Sequence, residues 1–253
     1  MTNLDRYLGL SGRVAVVTGA VGGIGAEIVS RFVEAGMKVA AVDVVPTDVA
    51  MNKLPLLTEG DHVVLNRDVS AVASCDALVE EVMNRYSRVD VLVNCAAILR
   101  RVSVDDANEE LWDQLMSANL KSQFFLSRAV SRPMRAQRWG RIINFSSQGA
   151  YTGGYHSSSI YNISKGGVLT ATRSFARLLA PYGICVNAIA PGGVRTPMME
   201  LSDEQLKEFI STIPLGRMAE PREIADIVLF MASEASRYIT GTTIDASGGQ
   251  LMH

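Results

Sequence analysis

The stretch Val14-Ala15-Val16-Val17-Thr18-Gly19-Ala20-Val21-Gly22-Gly23-Ile24-Gly25 decides the fold. Its first four residues are continuously apolar, as in a strand covered on both faces. The glycines that follow permit a tight turn, and Glu27–Ala35 reads as a helix that Gly36 stops. Such a turn lets backbone amides approach a pyrophosphate at the helix N-terminus, where they are unpaired and the dipole favours anions. Close structural packing between strand and helix would use the same glycines.

Outward from this unit the pattern repeats. Lys38–Val42, His62–Leu65, Val89–Val93, Arg141–Phe145 and Cys185–Ala190 are further apolar runs. Ser70 is placed to cap a helix running to about Tyr86. A helical tract covers about Glu109–Arg138 with a break near Asn119, and a helix after Tyr161 extends to about Ala180. Strand-then-helix alternation predicts an α/β fold: a Rossmann-like, doubly wound parallel sheet with helices on both faces. The chain shows no repeat, low-complexity tract or linker, so residues 1–253 are expected to form a single domain.

Asp43 closes the second strand, 18 residues beyond Gly25. A carboxylate there accepts hydrogen bonds from ribose hydroxyls and repels a 2′-phosphate. Neither the glycine turn nor the sequence beside Asp43 carries Arg or Lys, so NAD is expected rather than NADP.

Composition narrows the class. A net charge of −2 gives no general field to attract nucleic acid or an anionic membrane. No run approaches the roughly 18 apolar residues of a membrane span. The N-terminus has an early acid and no apolar block, so no secretory signal is expected. Cys75, Cys95 and Cys185 are odd in number and scattered, fitting a reduced cytoplasm and excluding a disulfide scaffold. His62, His156 and His253 are equally scattered, and no metal site is expected.

The chemistry concentrates in Asn144–Lys165. Arg141–Phe145 delivers Ser146 and Ser147 at a strand tip, and Tyr161 precedes Lys165 by four residues. On a helix that spacing puts phenol and ammonium on one face, a turn apart. A free tyrosine titrates at about 10, and a nearby positive charge moves it toward the range useful for proton transfer. Taken alone, Y-x-x-x-K is also the spacing of an ordinary helix surface.

The glycine turn T-G-x-x-x-G-x-G together with Y-x-x-x-K resembles the short-chain dehydrogenase/reductase family. Asp68-Val69, Asn94, Asn119, Ser147, Pro191–Thr196 and Gly241…Asp245…Gly248-Gly249 follow in the family's order across nearly the whole chain. The resemblance implies that Gly19, Gly23, Ile24 and Gly25 meet the cofactor and that Asp68 and Val69 flank the adenine. It places Asn94 beside the cofactor and Val194 and Thr196 at the nicotinamide end. Ser147 would bond the substrate oxygen, with Ser146 its competitor, and Tyr161 would exchange the proton. Lys165 would lower the Tyr161 pKa and bind the nicotinamide ribose, and Asn119 would support Lys165 through a water. Outside that context Asn119 reads as a helix-interior residue satisfying nearby backbone. The chain departs from the family's N-N-A-G at Asn94-Cys95-Ala96-Ala97. There Ala97 adds a methyl near the cofactor, and Cys95 reads as a small buried hydrophobe.

Three regions are expected around the substrate. Arg100 and Arg101 form either a solvated loop or a guanidinium fork for a carboxylate, and Ile98–Arg101 resembles family members acting on keto-deoxy sugar acids. Tyr151–Ser159 offers Tyr155, His156 and Ser158. Arg195–Pro214 reads as a lid with an apolar face of Met198, Met199 and Leu201. The expected activity is NAD(H)-dependent interconversion of a secondary alcohol and ketone, on a sugar acid or polyol. A 3-oxoacyl-thioester reductase is the alternative enzyme, and a non-catalytic dinucleotide-binding scaffold the alternative of another class. The resemblance also implies a homotetramer, with the Glu109–Arg138 tract and the helix after Tyr161 as pairing faces.

Overall fold

A computed structural model of the chain describes residues 7–154, 158–199 and 201–252. Seven parallel strands form one sheet: β1 (Val14–Thr18), β2 (Lys38–Asp43), β3 (Val63–Asn66), β4 (Val91–Asn94), β5 (Gly140–Phe145), β6 (Ile184–Pro191) and β7 (Thr243–Ala246). Their order is β3-β2-β1-β4-β5-β6-β7. Val16 stands opposite Ala40 on one side and Leu92 on the other, so β1 and β4 flank the point where the winding reverses. In open α/β sheets ligands bind at that point, beyond the strands' carboxyl ends.

The helices of seven residues or more are α1 (Gly23–Glu34), α2 (Thr47–Lys53), α3 (Val72–Tyr86), α4 (Glu109–Met116), α5 (Ser122–Gln137), α6 (Ser159–Leu179), α7 (Asp203–Ser211) and α8 (Pro221–Ala232). Strand parity divides the core between the two faces. Ala15 and Val17 join Ile28, Phe32, Val228 and Met231 under α1 and α8. Val14 and Val16 join Leu78, Val82, Leu126, Val130 and Phe175 under α3, α5 and α6. A third, small cluster of Phe209, Ile213 and Met218 belongs to the segment around α7.

Three elements differ from the sequence reading. The break near Asn119 is a π-helical turn, Ser117–Lys121, joining α4 to α5 without ending the helix. Ser70 does not cap α3, because the Asp68 carboxylate takes both its amide (2.8 Å) and its hydroxyl (3.0 Å); Ala71 stands at the cap. The edge strand β7 was not foreseen, its Thr-Ile-Asp-Ala being short and interrupted by an acid.

Candidate active site

The floor of the site begins where β5 ends. Ser146 and Ser147 follow Phe145, and their hydroxyls diverge. Ser146 is buried and donates to the Lys165 carbonyl (2.9 Å), so it is occupied within the core. The Ser147 hydroxyl accepts from the Gly149 amide (3.2 Å) and is hydrogen-bonded with Tyr161. Tyr161 lies in the first turn of α6 and Lys165 one turn on, as the spacing predicted.

The electrostatics depart from expectation. The Lys165 ammonium is buried and donates to the Phe145 carbonyl (2.8 Å), standing 5.6 Å from the centre of the Tyr161 ring. Burial pulls the ammonium down to about 8. Burial likewise pushes the phenol up to about 12, although the Ser147 bond draws it the other way. The lowering of Tyr161 by Lys165 is therefore not found: both groups lose solvation, and the lysine's contact is with a backbone carbonyl.

Asn119 is fully buried in the π turn. Its amide oxygen accepts from the Ile98 amide (2.8 Å), and its nitrogen donates to the Ile98 carbonyl (2.9 Å) and the Ser164 hydroxyl (3.2 Å). Its side chain thus pins the loop leaving β4 to α6. Its carbonyl accepts from Gln123 (2.9 Å), a residue the sequence reading passed over.

Ser147, Tyr161 and Lys165 open onto a cleft of about 800 Å³ that continues over the glycine turn to Asp43, Asp68 and Val69. Gly19 has φ +65°, and a Cβ there would stand 2.8 Å from the Ala96 backbone, so only glycine joins turn and β4 loop this closely. Helix α1 starts with no side-chain cap and no acid in its first turn. That leaves its early amides for an anion, and the residues present fit a dinucleotide pyrophosphate. Asp43 accepts from the amides of Val21 (2.9 Å) and Val44 (2.8 Å), and each oxygen keeps a lone pair. Ile24, Gly25, Val194 and Thr196 also line the cleft, and the Thr196 methyl lies where a Cβ on Gly23 would be 2.8 Å away.

Asn94 ends β4 immediately before the cleft. Its side chain is buried beneath the sheet tip, donating to Asn144 (2.8 Å) and Ser127 (3.3 Å), and its neighbours Cys95 and Ala96 line the cleft. Cys95 packs against the apolar core, and burial pushes its thiol up to about 12, so it is no thiolate. The fold also brings Arg67 and Lys53 to the Asp43 end, which adjacency in sequence did not reveal. Arg67 is turned to Glu81 (2.6 Å).

At the substrate end the arginine pair separates. Arg101 lines the cleft, exposed and without an ion pair among the described residues, whereas Arg100 folds back onto the Leu99 carbonyl (3.0 Å). Met198, Met199, Leu201 and Phe209 give the cleft an apolar lining, the last three packed in one cluster. Ser158 lines the cleft and accepts from Asn162 (3.0 Å). Tyr155 and His156 lie outside the described residues.

Known proteins match along the whole length. The family model described as enoyl-(acyl carrier protein) reductase matches residues 19–250. An acetoacetyl-CoA reductase from Acinetobacter is 38% identical over 246 residues, covering 95% of this chain and 98% of that protein. A 3-oxoacyl-[acyl-carrier-protein] reductase from Vibrio cholerae is 39% identical, covering 97% and 100%. A 2-dehydro-3-deoxy-D-gluconate 5-dehydrogenase from Dickeya dadantii is 35% identical, covering 96% of each. The crystal structure of a putative short-chain alcohol dehydrogenase from Sinorhizobium meliloti superposes with a TM-score of 0.90 at 35% identity, covering 95% of this chain and 96% of that one. With its sheet order, glycine turn and Ser147–Tyr161–Lys165 grouping, the chain belongs to the short-chain dehydrogenase/reductase family and is an oxidoreductase of that type.

Proposed function

We propose that the protein interconverts a secondary alcohol and a ketone with NAD(H), on a small hydroxylated acid of the sugar-acid type. The observation that carries this reading is the grouping of Ser147, Tyr161 and Lys165 at the floor of a cleft whose far end holds Asp43. Ser147 bonds the substrate oxygen and Tyr161 exchanges a proton with it. A phenol kept protonated at neutral pH is in the donor state that reduction of a ketone requires. Lys165 holds the floor through the Phe145 carbonyl and meets the nicotinamide ribose. Asn119 keeps the β4 loop against α6.

A nicotinamide dinucleotide bound in the cleft supplies or removes the hydride. Gly19, Gly23, Ile24 and Gly25 hold its pyrophosphate, and Asp43 the ribose hydroxyls. Asp68 and Val69 flank the adenine, and Val194 and Thr196 hold the nicotinamide end. Asp43 supports NAD over NADP, its carboxylate opposing a 2′-phosphate. Arg101 supports an anionic substrate, offering a carboxylate a guanidinium that has no ion pair among the described residues. Residues 195–214 act as a lid, clamped at the base by the Val194–Ala219 bridge and an Arg195–Glu220 ion pair (3.0 Å).

A 3-oxoacyl thioester is the second reading, favoured by the names of the Acinetobacter and Vibrio relatives and by the apolar wall of Met198, Met199 and Leu201. In either case we place the enzyme in the cytoplasm as a homotetramer. Trp112, Phe124, Ile163 and Leu178, apolar yet exposed on α4, α5 and α6, support pairing through those helices. No helix among the described residues is long and apolar enough to cross a membrane.

The test is absorbance of the reduced nicotinamide with sugar acids, neutral polyols and hydroxyacyl thioesters, each with NAD and with NADP. Turnover of sugar acids with NAD, and a KM for them raised roughly tenfold by Arg101→Ala, is the expected result. NADP-dependent turnover of a thioester would favour the second reading.

A further inference from the structure

We propose that Gln123, in the first turn of α5, is a positioning residue for Lys165, acting through the Phe145 peptide that its side-chain amide holds. The inference rests on the reading of Lys165 given above. The need for it arises where β4 stops. Asn94, the last residue of β4, stands opposite Asn144, so the next residue of β5 has no partner on that side. Alternate amides of β5 point to that side, as the Arg141 amide does in bonding the Asp90 carbonyl (2.9 Å). The Phe145 peptide therefore extends past the ladder with an unpaired N–H and C=O in a buried place, which costs free energy unless something replaces the strand.

Gln123 replaces it. Its oxygen accepts from the Phe145 amide (3.2 Å), and its nitrogen donates to the Phe145 carbonyl (3.1 Å) and to the Asn119 carbonyl in the π turn (2.9 Å). Both amide hydrogens are then committed. The side chain is buried, which fixes its rotamer as well as its bonds. Lys165 donates to the same Phe145 oxygen (2.8 Å), so the atom that locates the ammonium is gripped from its other lone pair by Gln123. The amide also joins that oxygen to the π turn, whose Asn119 side chain reaches Ser164, the neighbour of Lys165. Removing the amide leaves the Phe145 peptide free to tilt, and the ammonium moves with it.

Two variants test this beside Lys165→Met. Gln123→Met keeps length and apolar packing but has no donors. We expect kcat to fall about tenfold while the KM values and NAD affinity stay within about threefold, and the Lys165-dependent limb of the kcat–pH profile to shift by about one unit. Without substrate, the pH dependence of Tm between pH 8 and 9 shifts in the same variant. Should Gln123→Met not fold, Gln123→Glu keeps the acceptor for the Phe145 amide and puts a carboxylate near the ammonium, and the limb moves to higher pH. Wild-type kcat and pH profiles in a folded Gln123 variant, with Lys165→Met inactive, would overturn this inference alone. Wild-type turnover in Lys165→Met would overturn the reading of the site on which it rests.

Discussion

Ser146 and Ser147 are adjacent hydroxyls with different fates, and the difference is measurable. Ser147→Ala is expected to lower kcat/KM by about 10² to 10³, the usual effect of removing a hydrogen bond to the reacting oxygen. Ser146→Ala, which loses only the bond to the Lys165 carbonyl, should keep turnover within a few-fold and lower stability by about 1 kcal/mol. Steady-state kinetics and thermal melts on the two variants separate them, and equal losses of kcat/KM would contradict the assignment. At the cofactor end, Asp43→Ala should weaken NAD about tenfold and narrow the NAD-over-NADP preference, read from the two KM values. Residues set by local spacing were legible in the sequence: Tyr161 and Lys165 share a helix face because they are four apart. Residues set by where a strand stops were not. Asn94 turns inward at the end of β4, and Gln123 matters only because Phe145 outruns that strand. Arg100 and Arg101 could not be told apart, since an irregular loop has no periodicity to show which side chain faces the cleft.

Among elements, the glycine turn is the least tolerant of change. A Cβ on Gly25 would stand 2.0 Å from the Gly19 carbonyl oxygen, inside any allowed contact. Gly25→Ala is expected to lose at least tenfold in NAD affinity by calorimetry, with a lower Tm; wild-type affinity would show that the turn does not cradle the pyrophosphate. The segment carrying α7 has its own small core, and Phe209 packs onto Gly193 while also lining the cleft. Phe209→Ala should therefore raise substrate KM with a smaller loss of stability than the roughly 3–5 kcal/mol expected for Phe32→Ala in the main core. The sequence revealed β1 to β6 because buried parallel strands are continuous apolar runs. It missed β7. That strand lies at the edge of the sheet, is only partly buried and is short.

For the whole molecule, the consequence of burying Lys165 is a pH-dependent stability. Its folded value of about 8 lies below the 10.5 of a free lysine, so the fold prefers the neutral amine. Its stabilising contribution is complete above about 10.5 and is lost as pH falls toward 8. Between pH 8 and 9 this contribution rises with pH, and Lys165→Met should remove it, leaving a slope in thermal melts less positive than that of wild type. Burial of Cys75, Cys95 and Cys185, all raised from 9.0, opposes the trend increasingly as pH rises through 8 to 9, so the Lys165 contribution is read as the difference in slope between wild type and Lys165→Met. An unchanged slope in Lys165→Met would mean that the amine is solvated in solution. The same burial ties the stability of the molecule to its chemistry, since the phenol, the ammonium and the Phe145 carbonyl share the floor of one cleft. In the proposed mechanism Tyr161 exchanges the proton while the rest of that cleft binds the dinucleotide. Tyr161→Phe tests it most directly, with turnover and the NAD dissociation constant measured on the same preparation. Turnover is expected to fall at least about 10²-fold with NAD affinity within about threefold of wild type. Turnover equal to wild type with NAD affinity unchanged would contradict it.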